Sequence, residues 1–465
     1  MKLIVGKDIK IIEPTNDILE YCANNLVMKN PEYAKKKHMG FFVGNISEEI
    51  YLFKQDMTNG ISTVTLPYGA LKDVWQLSKG ATYQIEFKGF STRKLQEEVN
   101  LYPYQKNALD TMLRDKSGVL VAGCGAGKTE IGLTLINRIG HKALWLTHTT
   151  SLLKQSLERA KSMFSGYITS DFGTITDGKI DIGNFITFAT VQTLARIDLK
   201  DYEYEWDTIV VDECHHLVGS PTTLTMFSYC VGNLCARHKY GLTATPKRLD
   251  GLTPSMFALL GEKCLAISDN EVASHKVKAS AKVIELYTPN TTEIYNPDYT
   301  INITKFYNFI AKNIERNSEI TKNIKLASQD YKHQLVLCKY KEQCNNLIYM
   351  CREQGLKVMS YFGKGKLTKY DLKNYVNYDV VVATYSIASE GLDMPLLDCL
   401  HFATPIKQPT MVKQCVGRIE RTSKGKSKAI VYIYCDKEIE YIKECATRCK
   451  NIVIKGSSGV YVSWR

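Results

Sequence analysis

The sequence contains no run of eighteen apolar residues and no CxxC pair, and each absence excludes a class of protein. Without a long apolar run no helix can cross a bilayer, so we expect no membrane partner. The first residues, MKLIVGKDIKIIEPTND, place charges inside any apolar core, so we expect neither a secretory signal nor an anchor. Fourteen cysteines without CxxC spacing indicate the reduced thiols of an intracellular protein rather than disulfides or zinc ligands.

Length and charge add two broader constraints. At 465 residues the chain exceeds one hydrophobic core, which predicts about two to four domains. Apolar residues make up 44% and charged residues 23%, as in ordinary globular proteins. The net charge of +12 would attract a polyanion such as nucleic acid, although many basic proteins have no such partner.

Short β-branched runs alternate with helix-like segments from about residue 100, which indicates parallel sheets covered by helices. The runs of a first lobe are VLVAG, ALWLT, FITFAT, DTIVVDE and KYGLTAT. The runs of a second lobe are QLVLC, LKVMSYF, DVVVATY, CLHFAT and AIVYIYC. The polar stretch between them, roughly 270 to 320, is interpreted as a connection with room for a small structured insert.

The first hundred residues have a different pattern, which predicts a small α+β domain. Strand-like alternation occurs in ISTVTL from 61 and in YQIEF from 83. The run Lys35–His38, followed by Gly40, Phe41 and Phe42, has two interpretations. It is either a phosphate-gripping loop beside a base-stacking aromatic pair or a solvated turn before a buried strand.

A glycine-rich segment, Ala122–Thr129, follows an apolar strand pattern and opens a helical one. This is the context of a phosphate-binding loop, in which glycines let backbone amides turn toward phosphates. Lys128 would reach the β and γ phosphates of ATP, and Thr129 would bind Mg²⁺. The glycines that would hold ATP are Gly123, Gly125 and Gly127, while Ala122 stands where the general pattern has glycine.

Asp212 and Glu213 end the apolar run DTIVVDE, so their carboxylates should emerge at the tip of a central strand. Ligands of open α/β sheets bind at such strand ends. Asp212 could therefore hold Mg²⁺, and Glu213 could polarise an attacking water. The alternative is a surface acidic pair beside His215 and His216, but the strand and the upstream loop favour a site.

These residues, in this order, resemble the motifs of superfamily 2 helicases of the DExH type. Further segments resemble other motifs of that family, namely Pro103–Gln105 (Q-type), THTTSLLKQ from 147 (Ia), Thr190–Leu194 (Ib), Thr243–Pro246 (III), Thr384–Asp393 (V) and Gln414–Arg421 (VI). The resemblance covers residues 100 to 435. It implies two tandem RecA-like parallel-sheet motor domains of α/β class, with ATP and Mg²⁺ as cofactors. With the N-terminal α+β accessory domain, we predict domains at 1–98, 99–268 and 269–465.

The resemblance also implies roles for individual residues. The catalytic residues would be Lys128, Glu213, Gln414, Arg418 and Arg421. Further ATP contacts would come from Gln105, Gly391 and Asp393. Nucleic acid would be contacted by Thr149, Thr190, Gln192, Thr384 and Arg248, and coupling of the two sites would fall to Thr243 and Thr245. The resemblance makes Arg421, with Arg418 beside it, an arginine finger, and the spacing predicts that both arginines share one face of a helix with Gln414.

The segment TATPKRLDG from 243 differs from RNA-unwinding DEAD-box proteins and is similar to DNA-repair and restriction motors, including XPB-like and phage UvsW-type branch-migration helicases. Leu249 departs from the Arg-Glu-Asp element of XPB-like proteins. The resemblance implies unwinding or branch migration of branched or forked DNA in replication, recombination or repair, with residues 1–98 recognising DNA.

Three alternatives stay open. They are a duplex translocase that serves a nuclease complex without separating strands, an RNA helicase, and a nucleotide-gated clamp with little turnover. Intact Lys128, Glu213 and Arg421 disfavour the clamp. We expect a monomer in the cytoplasm of a bacterial or phage-infected cell rather than in a nucleus, and the sequence indicates no protein partner.

Overall fold

The chain divides into two units, Met1–Ser268 and Asp269–Arg465. The central strands of each unit are apolar and are buried on both faces. The computed structural model describes residues 1–123, 125–217, 225–244, 251–268, 271–272, 275–288, 291–362, 374–386, 394–423 and 425–456. The predicted α/β class with two parallel-sheet domains is confirmed. Within the described residues, no helix combines the length and the hydropathy that a bilayer crossing requires.

The N-terminal part of the first unit is built on a five-stranded sheet of order β5-β6-β2-β1-β7. Its elements are β1 (Lys2–Val5), β2 (Asp8–Ile12), α1 (Asn16–Asn25), β3 (Val27–Lys29), α2 (Pro31–His38), β4 (Glu49–Tyr51), β5 (Lys54–Thr58), β6 (Ile61–Pro67), α3 (Leu71–Leu77) and β7 (Thr82–Ile85). Alternate residues of the strands, such as Ile9 and Ile11, face the helices, where they pack with Ile18 and Val74. β3 and β4 form a separate two-stranded ribbon.

The second part of this unit is an eight-stranded sheet of order β13-β12-β14-β10-β15-β16-β9-β17, parallel except for β13. Its strands are β9 (Gly118–Ala122), β10 (Ala143–Thr147), β12 (Phe172–Thr176), β13 (Lys179–Asp181), β14 (Ile186–Thr190), β15 (Thr208–Asp212), β16 (His238–Thr243) and β17 (Lys263–Ile267). Its helices are α4 (Pro103–Asp115), α5 (Lys128–Ile139), α6 (Thr150–Met163), α7 (Val191–Leu194), α8 (Met226–Asn233) and α9 (Thr253–Leu260). β8 (Gln96–Glu97) and β11 (Phe164–Ser165) form a short ribbon.

The eight-stranded sheet lies in the first of the two predicted motor domains and is called the motor sheet. The N-terminal sheet packs directly against it. The Tyr68 hydroxyl donates a hydrogen bond to the carbonyl of Arg237 at 2.6 Å. A Cβ added at Gly69 would lie 2.3 Å from the carbonyl oxygen of Phe257, so only glycine permits this approach of the two backbones. Ala258 of α9 belongs to the core of the N-terminal sheet. The two sheets therefore share one packed boundary.

A buried lysine lies in that boundary. Lys239 of β16 is fully buried, and its ammonium donates to the carbonyl of Lys7 at 3.2 Å and to that of Val231 at 3.0 Å. The ammonium also lies 5.1 Å from the centre of the Tyr68 ring. Burial lowers the pKa of Lys239 to about 8, because the interior disfavours the charge. This ammonium group therefore ties the turn between β1 and β2, at Lys7, to the motor sheet.

The second unit is a six-stranded, all-parallel sheet of order β18-β23-β22-β19-β21-β20. Its strands are β18 (Ala279–Leu286), β19 (Gln334–Cys338), β20 (Val358–Tyr361), β21 (Val380–Thr384), β22 (Cys399–Phe402) and β23 (Ala429–Asp436). Its helices are α10 (Ile303–Lys312), α11 (Ile314–Ala327), α12 (Lys341–Glu353), α13 (Pro409–Ile419) and α14 (Glu440–Gly456). Only part of the stretch from 270 to 320 is a connection between the two lobes, because it also contains β18, which pairs with β23 over its whole length.

An ion pair without solvent exposure connects α11 to the end of β23. Nε of Arg316 lies 3.0 Å from a carboxylate oxygen of Asp436, and both side chains are fully buried. Nη1 of Arg316 donates to the carbonyl of Ala403 at 2.7 Å, and the Thr288 hydroxyl donates to Asp436. Removal of one partner would leave the other charge buried and uncompensated.

We expect Asp436→Ala to lower the free energy of unfolding of the second unit by about 3–5 kcal/mol, because the Arg316 charge would stay buried. Hydrogen exchange of β19 and β23 measures this loss. The control Glu342→Ala removes an exposed pair with Lys312, whose charged atoms are 4.0 Å apart, and should change the stability by less than about 1 kcal/mol. Equal losses in the two variants would contradict the structural role of the buried pair.

Candidate nucleotide site

The candidate residues of the first unit collect at one edge of the motor sheet. β9, β10, β14, β15 and β16 are parallel neighbours, so their carboxyl ends meet at the same edge. Asp212 and Thr243 are the last residues of β15 and β16, and Thr190 is the last of β14. Thr149 follows β10, and the loop from Gly123 follows β9. This edge is where ligands of open α/β sheets bind.

The glycine-rich loop adopts left-handed backbone at two positions. Gly125 and Gly127 both have φ of +77°. Gly127 caps α5, and a Cβ there would lie 2.1 Å from Nε2 of Gln105. The Gln105 side chain is buried and fixed at both ends, since its Oε1 accepts from the amide of Tyr102 at 2.9 Å and its Nε2 donates to the carbonyl of Ala126 at 3.0 Å. The Gln105 side chain thus holds the glycine-rich loop through the backbone carbonyl of Ala126.

Lys128, the first residue of α5, is close to the acidic end of β15. Its ammonium lies 3.3 Å from the carbonyl oxygen of Ala122 and 3.7 Å from Oε1 of Glu213. The side chains of Lys128 and Glu213 are 11% and 21% exposed, so water screens this pair weakly. The structure therefore brings together two residues that lie far apart in the sequence.

The two neighbouring carboxyl groups differ in their protonation. Burial raises the pKa of Asp212 to about 7, and the charge of Glu213 raises it further while Lys128 opposes. Burial also opposes ionisation of Glu213, but Lys128 and His215 outweigh it and lower the pKa of Glu213 to about 2. Lys128 thus favours the ionised form of both carboxyl groups, and its ammonium lies 3.7 Å from Oε1 of Glu213.

The donor atoms at this edge fit a magnesium ion. Mg²⁺ prefers oxygen ligands and keeps several waters, so one carboxylate and one hydroxyl can suffice. Asp212 and Thr129 offer these groups at the end of β15 and at the start of α5. The raised pKa of Asp212 reflects a buried carboxyl group with too little positive charge beside it, which a divalent cation would supply.

Two histidines extend the site toward the neighbouring strands. Nδ1 of His215 is 3.3 Å from Oε2 of Glu213 and 3.1 Å from Oγ1 of Thr243. The ring of His216 lies 4.2 Å from that of His215 and 4.5 Å from that of His148, centre to centre. Contacts therefore run from the end of β15 to the ends of β16 and β10. The histidines are visible in the sequence, but nothing in the sequence predicts the contacts between their rings.

The backbone at Glu213 is unusual. Glu213 has φ of +50° and ψ of +50°, in the left-handed region that non-glycine residues rarely adopt. Such a conformation is held by the surrounding structure and is common at functional sites. Here it terminates β15 abruptly and turns the following residues, Cys214–His216, into a short 3-10 helix.

The polar residues predicted to contact nucleic acid in this unit already have partners within the protein. Thr149 caps α6, because its hydroxyl accepts from the amide of Leu152 at 3.3 Å. The Thr190 hydroxyl is buried and donates to Thr193 at 3.1 Å. Gln192 is exposed, and its Nε2 donates to the carbonyl of His148 at 2.8 Å. Gln192 thus connects the residues predicted to bind nucleic acid with His148, whose ring contacts that of His216.

The second unit carries the remaining described candidates. Thr384 ends β21 and is buried, with its hydroxyl 3.3 Å from that of Ser386. Gln414 and Arg418 lie on α13. Arg421 does not, because α13 ends at Ile419, so the prediction that both arginines share one helical face is wrong for Arg421. Four candidates lie outside the described residues, namely Thr245, Arg248, Gly391 and Asp393.

Comparison with known proteins bears on this arrangement. Residues 98–248 match the family model described as type III restriction enzyme, res subunit. Helicase D10 of Escherichia phage T5 is 26% identical over 356 residues, covering 73% of this chain and 70% of its own. The DNA 3'-5' translocase XPB2 of Sulfurisphaera tokodaii is 26% identical over 294 residues, covering 62% and 61%. The chain belongs to the superfamily 2 helicases.

As a superfamily 2 helicase, the chain is an ATP-dependent enzyme of the helicase and translocase type. Another relative, L396 of Acanthamoeba polyphaga mimivirus, is named as an ATP-dependent RNA helicase and is 26% identical over 363 residues, covering 74% of this chain and 66% of its own. The chain thus spans roughly two thirds of the length of these relatives.

Structural likeness supports the fold. The DNA-bound type ISP restriction-modification enzyme LlaBIII aligns with 78% of this helicase and 30% of its own chain, at a TM-score of 0.56 and 16% identity. At that identity the likeness concerns the fold alone, which is the parallel-sheet architecture already described.

We expect Gly127→Ala to weaken ATP binding at least about tenfold, because the added methyl would press on the fixed Gln105 amide and displace the loop. Fluorescent-nucleotide titration measures the affinity. The matched control is Gly178→Ala, where φ is +76° but nothing lies within 4 Å, so that backbone strain alone is tested. A similar loss of nucleotide affinity in the control would refute the role of the Gln105 contact.

Proposed function

We propose that this helicase is an ATP-driven motor on DNA that acts on branched or forked substrates, by unwinding or branch migration in replication, recombination or repair. The observation that carries the motor is the partly buried Lys128–Glu213 pair beside the glycine-rich loop, with 3.7 Å between charged atoms. The choice of DNA is supported by the relative XPB2, which is named as a DNA translocase. Domains at 1–98, 99–268 and 269–465 are part of the proposal.

ATP binding would use the backbone first. Amides of the loop from Gly123 to Gly127 and of the N-terminus of α5 would receive the phosphates. Lys128 would turn from Ala122 and Glu213 toward the β and γ phosphates. Thr129 and Asp212 would hold Mg²⁺, which supplies charge neutralisation at the phosphates when bound. Gln105, now bonded to the loop, would keep it in register and contact adenine.

The movement of Lys128 would also activate Glu213. While the ammonium is near, the pKa of Glu213 stays at about 2, which makes it a weak base. When Lys128 turns to the phosphates, Oε1 of Glu213 would lose its contact with the ammonium and could accept a hydrogen bond from the attacking water. Hydrolysis would thus depend on a bound nucleotide, and His215 would keep the carboxylate oriented from 3.3 Å.

Further roles in the proposal come from the family resemblance. Gln414, Arg418 and Arg421 would stabilise charge on the transferred phosphate, and arginine fingers of this kind contribute about 10³ to 10⁵ in rate. Gly391 and Asp393 would complete the ATP contacts. The DNA backbone would be held by Thr149, Thr190, Gln192, Thr384 and Arg248, which makes stepping independent of sequence. Thr243 and Thr245 would couple the two sites, with Thr243 acting through His215 at 3.1 Å.

Two alternative functions have specific support. The restriction-enzyme family description favours a duplex translocase that separates no strands. The relative L396, named as an RNA helicase, favours RNA. A strand-displacement assay on forks separates the first from our proposal, because a pure translocase would clear a protein roadblock and release no strand.

We expect Lys128→Ala and Glu213→Gln each to lower the ATP hydrolysis rate at least about a hundredfold, while Glu213→Gln still binds ATP. The reason is that Lys128 serves the phosphates and Glu213 serves the attacking water. A phosphate-release assay and nucleotide titration measure the two effects. The controls Lys179→Ala and Glu20→Gln change exposed residues of the same unit and should hydrolyse ATP normally. Normal turnover in Lys128→Ala and Glu213→Gln would rule out the assigned site.

The track is tested by the ATP hydrolysis rate with single-stranded DNA, blunt duplex, a fork, a four-way junction and structured RNA, all at one salt concentration. We expect the fork and the junction to stimulate hydrolysis most. Stimulation mainly by RNA would overturn the choice of DNA and leave the motor intact. Equal stimulation by blunt duplex and fork would favour the duplex translocase.

A further inference from the structure

A segment of the N-terminal domain, Asn30–Glu48, projects from the β3–β4 ribbon. Its neck is closed by two hydrogen bonds, from the Asn30 amide to the Glu48 carbonyl at 2.8 Å and from Asn30 Nδ2 to the Ser47 carbonyl at 2.9 Å. No residue of the segment is fully buried. The Asn30–Glu48 projection therefore adds nothing to a hydrophobic core, although its neck holds it in a defined place.

The projection carries a ring of positive charge. The basic run interpreted from the sequence as a loop or a turn is the last turn of α2, a helix that Asn30 caps by accepting from the amide of Glu32. Successive helical residues are about 100° apart, so Lys35, Lys36, Lys37 and His38 surround the C-terminal end of the helix. Favourable contact with the helix dipole accounts for basic residues here, but it gives no reason for exposed aromatic residues beside them.

Two phenylalanines, Phe41 and Phe42, follow the basic end of this helix. Gly40 has φ of +73° and ends the helix, and the amide of Phe41 donates back to the carbonyl of Lys36 at 2.9 Å. Phe41 and Phe42 are nevertheless 63% and 84% exposed. A Cβ at Gly44 would lie 2.2 Å from Cζ of Phe42, so glycine at this position leaves room for a ring that is otherwise exposed to solvent.

We propose that the Asn30–Glu48 projection is a DNA-binding site that recognises unpaired bases beside a phosphate backbone, as found where a fork opens. The lysine ring matches phosphates, and the exposed rings match the faces of unstacked bases, which stack on aromatic side chains regardless of sequence. Duplex DNA hides base faces, so Phe42 distinguishes a fork from a blunt end. This inference rests on the proposed choice of DNA and assigns the substrate preference to named residues.

Charge favours DNA over a protein partner as the occupant. A protein-binding patch of this size would need contiguous apolar area, whereas here lysines surround the two rings. Lys36 is paired with Glu32 at 2.9 Å, and the Lys37 ammonium lies 5.3 Å from the centre of the Tyr33 ring. These contacts keep the lysine stems against the helix, from which their charged ends can reach phosphates.

The test is the affinity for a labelled fork with unpaired arms and for a blunt duplex, measured by anisotropy at several salt concentrations. We expect Phe42→Ala to bind the fork at least about fivefold more weakly and the duplex unchanged, because one stacking contact is lost. The triple variant Lys35→Ala/Lys36→Ala/Lys37→Ala should weaken both complexes and reduce the slope of log affinity against log salt by about two. Wild-type affinity for the fork in both variants would overturn the proposal.

The matched controls remove the same number of exposed aromatic rings or positive charges from other parts of the domain. Tyr83→Ala removes a 60% exposed ring of the same domain outside the projection, and Lys2→Ala/Lys10→Ala/Lys72→Ala removes three exposed charges. Both should bind the fork as the unchanged protein does. An equal loss in the controls would show that any exposed ring or charge serves, which contradicts a specific site.

A second measurement does not depend on loss of binding. Phe42→Trp keeps an aromatic ring at the position and should retain fork affinity, with its fluorescence quenched by the fork and not by the blunt duplex. Absence of quenching with saturating fork would refute the stacking contact. If the unchanged protein is stimulated by no DNA, the proposed function fails. If it is stimulated and these variants behave normally, only this inference fails.

Discussion

Electrostatic competition for one ammonium group governs the candidate site. Asp212 and Glu213 are adjacent carboxyl groups at a buried strand end, and the Lys128 ammonium favours ionisation of both while it contacts Glu213. A buried pair of like charges cannot both ionise without further positive charge. A divalent cation held at Asp212 would supply that charge, and Lys128 and His215 lie beside the same strand end.

The parts of this arrangement that could be predicted follow from strand periodicity. Because parallel strands share an edge, an apolar run that ends in Asp212 and Glu213 and another that precedes Gly123 had to bring these residues together. The loop and the helix that begins at Lys128 follow equally from local sequence. Local rules suffice here because each side chain is placed by its own strand or helix.

Contacts between distant segments could not be predicted. The contact between the rings of His216 and His148 depends on the spacing of two strands, and the strand Ala279–Leu286 becomes recognisable only through its pairing with β23. Arg421 lies beyond α13 because the helix ends two residues earlier, and helix ends are poorly determined by periodicity. The burial of Lys239 is equally invisible, since its sequence context is that of an ordinary strand.

That buried lysine has a mechanical consequence. An apolar boundary would permit sliding, whereas an ammonium group held between the carbonyls of Lys7 and Val231 fixes the orientation of one sheet on the other. The Asn30–Glu48 projection and the glycine-rich loop are therefore carried on the same rigid frame. A displacement of the motor sheet would therefore be passed to the projection through this polar boundary.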